Sequence, residues 1–178
     1  MKQQKEHKLR TPIVIRKIKE SEYQALEAFL YEAIFIPEGV EPPPFDIIYK
    51  PELQIYIDSF GKQNGDICFV AETDNALIGA AWVRIMDDYG HIDNETPSLA
   101  ISMRREYRKH GIGTLLMKAM IKELRDQRYK QLSLSVQKAN YAAQWYQKLG
   151  FRIVSENEEE YIMLLDVQDG SNEYHLSK

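Results

Sequence analysis

Arg108-Lys109-His110-Gly111-Ile112-Gly113-Thr114 is the stretch on which the reading of this chain turns. Behind it Ile112, Leu115, Leu116, Ala119, Met120 and Leu124 recur at helical spacing, which predicts a helix over 111–126. In front of it, residues 98–103 read as a central strand. A strand therefore runs through a glycine-containing turn into a helix. A helix N-terminus carries unpaired backbone N–H groups and partial positive charge. Glycines at 111 and 113 would let a diphosphate approach those groups with no Cβ in the way, and Arg108, Lys109 and His110 add charge. The plainer alternative is that the two glycines only shape the turn. Other phosphate loops do not fit. A P-loop ends Gly-Lys-Ser/Thr, whereas this one reads Gly-Ile-Gly-Thr, and a dinucleotide fingerprint needs three glycines in its own spacing.

Outward from this loop the pattern mixes strands and helices. Ile13-Val14-Ile15-Arg16-Lys17-Ile18 is β-branched and predicts a first strand. Apolar residues at Tyr23, Leu26, Phe29, Leu30, Ala33 and Ile34 predict a helix over 20–36, with Ser21 as its cap. The segment 37–44, with four prolines, must break it. A second helical stretch is expected over 51–59. Strands follow at 67–72 and 77–86, joined by a turn at 73–75. After the loop and its helix, Leu132, Leu134 and Val136 alternate with Ser133 and Ser135 as another strand. A short helix over 140–149 and strands at 151–154 and 161–165 complete the order. The run Glu156-Asn157-Glu158-Glu159-Glu160 reads as a solvated turn. This is α+β architecture around one sheet. The expected organisation is a loose tail at 1–10, one domain over 11–168, and a second loose tail at 169–178.

The 178 residues suit one domain with its own core, and 44% hydrophobic and 28% charged content is ordinary for a globular chain. A net charge of −4 gives no broad nucleic-acid footprint. The single Cys68 lies within the apolar run Ile67-Cys68-Phe69-Val70, excludes an internal disulfide, and reads as a small core residue. No run reaches the roughly 18 apolar residues of a membrane span, and no signal segment opens the chain; a cytoplasmic location is the default expectation. No His, Asp, Glu and Cys spacing suggests a metal site.

A second segment stands at matching distance: Asn140-Tyr141-Ala142-Ala143-Gln144-Trp145-Tyr146-Gln147-Lys148-Leu149-Gly150-Phe151. Together the two segments resemble the GNAT acetyltransferase superfamily. The first resembles its Arg/Gln-x-x-Gly-x-Gly/Ala pyrophosphate loop, and the second its Asn-x-x-Ala…Tyr-x-x-Leu-Gly-Phe ending. The element order from Ile13 to Leu165 also fits, so the resemblance spans nearly the whole chain. Arg104-Arg105-Glu106 departs from it, standing where many members carry a proline-containing turn.

The resemblance implies a single GNAT-like domain: a mixed, mostly antiparallel sheet with about four helices, whose fourth and fifth strands splay around acetyl-coenzyme A. Backbone groups near Ile101 and Met103 would pair with the pantetheine arm. Residues Arg108, Lys109, His110, Gly111, Ile112, Gly113 and Thr114 would hold the pyrophosphate. Asn140 would bond the pantetheine, and Tyr146 would sit near the thioester sulfur. The acceptor would enter past residues 36–44. A neutral amine would attack the thioester carbonyl, the Met103 N–H would face the oxyanion, and the Tyr146 hydroxyl would assist the leaving thiolate. An alkylamine of pKa about 10.4 must first lose a proton at neutral pH. Glu95 is the first candidate base, with Asp93 and His91 beside it; Asp58, Glu32 and Glu38 rank below. The plain reading of Asp93-Asn94-Glu95 is a solvated loop, and that of Tyr146 is a packed core ring.

The function expected is therefore acetyl transfer from acetyl-coenzyme A to a primary amine of a small molecule, peptide or protein, without a metal, nucleic acid or membrane partner; a homodimer stays open. The alternative is a catalytically weak acyl-coenzyme A sensor. A nucleic-acid-associated modifier using the basic N-terminal tail ranks last, because that tail is short and contains Glu6.

Overall fold

A computed structural model describes residues 12–169, so both predicted tails lie almost wholly outside the described residues. The strands are β1 (Val14–Lys17), β2 (Ile67–Thr73), β3 (Ala76–Arg84), β4 (Ser98–Met103), β5 (Gln131–Gln137), β6 (Arg152–Glu156) and β7 (Glu160–Asp166). The α-helices are α1 (Ala25–Ala33), α2 (Pro51–Gln54), α3 (Ile112–Asp126) and α4 (Ala142–Lys148). They build one seven-stranded sheet in the order β1-β2-β3-β4-β5-β7-β6. Every neighbouring pair is antiparallel except β4 and β5, which are parallel.

Helices cover both faces of the sheet. On one face α3 buries Ile112, Leu116, Met117, Met120, Ile121 and Leu124 against Ile78, Val83, Leu99, Leu132 and Leu134. Leu115, expected on that stripe, is 43% exposed, and Met117 and Ile121 take the inward positions. On the other face α1 turns Leu26, Phe29 and Leu30 toward Cys68, Val70, Ala80 and Trp82. Cys68 is thus a core residue, and burial pushes its thiol far above the ordinary range.

Two predicted helices are shorter than expected. The 20–36 stretch divides into a 3₁₀ turn at Glu20–Glu22 and α1. Ser21 does not cap it; the Glu22 carboxylate accepts the Lys19 N–H at 2.8 Å and pairs with Arg16. The 51–59 stretch keeps one α turn before Ser59 takes φ 50°. Its later carbonyls serve another purpose: Ile55 and Asp58 accept the Arg84 guanidinium at 3.0 and 2.7 Å. Arg84 also grips Asp66 through two bonds of 2.8 Å, with both side chains 1% exposed. β3 stops at Arg84 rather than Met86, because Met86 turns its carbonyl to the His91 ring.

Candidate active site

The parallel pair β4–β5 is bridged once, Ser98 against Ser133, and then opens. Alternation in the β3–β4 ladder shows what the opening leaves bare. Arg104 donates its N–H to Ile78 at 2.9 Å, so Ser102 and Ala100 also spend their backbone groups on β3. Ile101 and Met103 therefore turn theirs toward β5, across the gap. The Met103 carbonyl is taken by Arg108 Nε at 3.0 Å, while its N–H faces the opening. A cavity of about 1060 Å³ fills this wedge, lined by β4 from Leu99 to Met103, by Ser135–Gln137 of β5, and by the loop before α3.

That loop adopts a shape suited to an anion. Lys109 and Gly111 have φ of 63° and 77°, which turns successive N–H groups into one concavity. Among the described residues the N–H groups of 109–113 have no protein partner; the first helical bonds run from Thr114 and Leu115 back to Gly111. A Cβ on Gly111 would meet nothing within 4 Å, and one on Gly113 would only touch the Trp145 ring at 3.5 Å. The positive φ explains Gly111, but protein packing does not demand Gly113. Gly113 lines the cavity, where a diphosphate would need close approach to the backbone.

The charges of the loop divide. Arg108 lines the cavity, yet its guanidinium is engaged: Nη2 donates to the Glu32 carboxylate at 2.8 Å and Nε to Met103. It braces the end of β4 against α1, a role its sequence neighbours do not reveal because Glu32 lies far away along the chain. Lys109 sits 5.4 Å from the Tyr141 ring centroid, over its face, and lines the cavity with Arg105 and Thr114. His110 points outward, and Ile112 is 1% exposed beneath α3, so neither side chain reaches the cavity.

Across the gap, α4 supplies the opposite wall. Asn140 accepts the Ala142 N–H at 2.9 Å through Oδ1, which starts the helix and leaves its amide NH₂ for the cavity that it lines. Tyr146 is 9% exposed, packed edge-on against Phe151 at 5.6 Å and beside Trp145 at 5.0 Å. Its ring belongs to the core and also lines the cavity, and its hydroxyl has no hydrogen-bond partner among the described residues. Burial pushes the phenol well above its ordinary range, so it stays protonated and able to donate.

The other end of the cavity is apolar. Ile34, Phe35, Ile36, Pro37, Val40 and Pro42 line it, with Ile47, Leu53, Tyr56 and Tyr89. Tyr56 donates to Asp88 Oδ2 at 2.8 Å, and Ser98 donates to Asp88 Oδ1 at 2.7 Å, at the closed apex of the wedge. Burial, reinforced by Asp88 and Glu160, holds the Tyr56 phenol far above its usual range. The candidate base Glu95 does not join this end. With Asp93 it lines a separate depression beside Gln127–Gln131, where Asp93 accepts the N–H groups of Glu95 and Thr96 at 2.8 and 2.7 Å. The solvated-turn reading also needs correction at its last residue: Glu160 lines the cavity and accepts Gln137 Nε2 at 3.3 Å. Its place follows from the β5–β7 register, Gln137 opposite Glu160, which residue types alone do not encode. Among the described residues no group of three or more His, Cys, Asp or Glu could hold a metal ion.

Residues 29–151 match the model of the acetyltransferase (GNAT) family. The chain belongs to that family. An N-alpha-acetyltransferase of Saccharolobus solfataricus is 32% identical over 118 residues, covering 57% of this chain and 70% of that protein. A putative acetyltransferase of Bacillus subtilis is 31% identical over 100 residues, covering 56% of this chain and 63% of that protein. The crystal structure of the PaiA N-acetyltransferase of Thermoplasma acidophilum, in complex with coenzyme A, superimposes with a TM-score of 0.66 at 20% identity. It covers 88% of this chain and 99% of that one, which shows the shared fold. This GNAT acetyltransferase is thus a single α+β domain with the splayed parallel pair that the resemblance implied, and no helix of its described residues is long and apolar enough to cross a membrane.

Proposed function

We propose that this acetyltransferase moves an acetyl group from acetyl-coenzyme A to the nitrogen of a primary amine. The observation that carries the reading is one continuous cavity. It runs from the N–H groups of 109–113, past the bare edge of β4, to the Tyr146 hydroxyl, and these groups have no partner among the described residues. The loop receives the pyrophosphate on its N–H groups, with Lys109 close by. Ile101 offers its backbone N–H and C=O, and Asn140 its amide, to the pantetheine arm, much as a missing strand would pair there. The acyl carbonyl then lies between β4 and α4.

The chain's own groups divide the chemistry. The Met103 N–H faces the gap and stabilises charge developing on the carbonyl oxygen. Tyr146 donates its proton, or a hydrogen bond, to the departing sulfur as the C–S bond breaks and the C–N bond forms. The ammonium must be deprotonated before attack. Glu95 lies outside the cavity, and the open acceptor end gives that proton a route to bulk water. The test is thiol release from acetyl-coenzyme A with a panel of primary amines, followed by mass detection of the N-acetyl product. Tight coenzyme A binding without turnover on any amine would reduce the protein to a binding module.

A further inference from the structure

The acceptor end of the cavity narrows the class of amine. Resting on the acetyl-transfer reading above, the geometry points to a small monoamine with an apolar body, its ammonium held by Glu160. Charge is distributed unevenly along the lining. Its cations, Arg105, Arg108 and Lys109, all belong to the loop before α3. Its carboxylates are Glu32 and Glu160. Glu32 is spent on Arg108, whereas Glu160 has no ion-pair partner among the described residues. A lone carboxylate in a cavity wall is where one ammonium is held best. Asp88, which acts with Glu160 on the Tyr56 phenol, is occupied by the hydroxyls of Tyr56 and Ser98.

Among the described residues that line the remaining wall none is charged, Glu38 and Glu41 standing outside the lining on either side of Val40. Ile34, Phe35, Val40, Ile47, Leu53 and Tyr89 surround the place where the rest of the molecule must lie. Val40 and Tyr89 are 55% and 57% exposed, large apolar surface at the rim of a cavity. A second ammonium placed there would be desolvated without a partner. A carboxylate next to the amine would face Glu160. An extended peptide is also poorly served. The wall at 34–44 is not a strand, and Pro37, Pro42, Pro43 and Pro44 lack the N–H groups a peptide backbone would need. The wall is held in place, because Tyr31 donates its hydroxyl to the Pro43 carbonyl at 2.6 Å and packs on Phe45.

The test compares kcat/KM for phenethylamine, putrescine, phenylalanine and the amide of Phe-Gly-Gly, using the full chain and saturating acetyl-coenzyme A. Phenethylamine should lead each of the others by about tenfold or more, the worth of one charge-assisted contact or one unpaired charge. Glu160→Gln should lower kcat/KM for phenethylamine about tenfold through KM, with coenzyme A affinity by calorimetry unchanged. Val40→Glu, at an exposed rim position, should lower the phenethylamine lead and raise putrescine turnover. Putrescine, phenylalanine or the peptide amide at or above phenethylamine overturns this proposal while leaving amine acetylation intact, as does an indifferent Glu160→Gln. Silence on all four acceptors overturns this proposal alone when another primary amine of the wider panel is acetylated, and both readings when none is.

Discussion

Tyr146→Phe deletes a hydroxyl that has no protein partner among the described residues and keeps the ring against Trp145 and Phe151. Core volume is conserved, so stability should change by less than about 1.5 kcal/mol. If the hydroxyl assists the leaving sulfur, kcat should fall about 10²–10⁴-fold while the acceptor KM moves little. Steady-state kinetics beside thermal melting checks both halves, and a near wild-type rate under single-turnover conditions removes Tyr146 from the chemistry. Gly113→Ala asks the matching question of the loop. Its Cβ would meet Trp145 at an ordinary 3.5 Å, and alanine favours a helix over glycine by about 1 kcal/mol. The melting temperature should hold or rise while coenzyme A affinity falls at least about tenfold, read by calorimetry. An unchanged affinity would return Gly113 to a purely local role. At this scale, residue types made the loop and the Tyr146 helix legible. They hid Arg108's tie to Glu32 and Glu160's place in the wall, because each depends on a partner brought close only by the fold.

Among the elements, the segment 55–66 is tied to β3 through the Arg84 guanidinium. Arg84 satisfies its donors on Asp66 and on the carbonyls of Ile55 and Asp58, and lies 5.3 Å from the Phe60 centroid. Removing one partner of a buried pair strands the other charge, so Asp66→Ala should cost about 3–5 kcal/mol in urea unfolding. Asp66 also receives the N–H groups of Gly61 and Gln63, at 2.8 and 3.3 Å, which adds to the loss. A change below about 1 kcal/mol would mean that the segment is held by its apolar contacts instead. The same clamp explains why periodicity over-extended the 51–59 helix: helical spacing is present, but carbonyls that would continue the ladder answer to Arg84. Elsewhere the pattern sufficed. The strand at 98–103 and the helix ending at Asp126 were legible because apolar alternation and a glycine-marked start coincide with burial.

For the whole molecule, the open seam between β4 and β5 divides the sheet, with β5, β7 and β6 on one side and the other four strands on the opposite side. A ligand lying in the seam bonds both halves in the folded state alone. Coenzyme A at a hundredfold excess over its Kd should therefore add about 2.7 kcal/mol of stability. For a chain of this size that is a rise of about 5–10 °C in melting temperature. Gly113→Ala at the same coenzyme A concentration should show a smaller rise, and no rise in the parent protein would detach the cofactor from the seam. That the two strands part was expected from resemblance. The single bridge at Ser98 and Ser133 that marks the hinge of the wedge is a matter of register, which side-chain alternation leaves undetermined.

The acceptor wall has one further property. It is fastened at its margins, by the end of α1 at Ala33 and by Tyr31 on Pro43, while Val40 between them is 55% exposed and carries little of the core. Mutations in that middle stretch can redraw what the cavity accepts without unseating the sheet. Appetite for new substrates can therefore drift under selection, or be steered in a library, at small expense in foldedness.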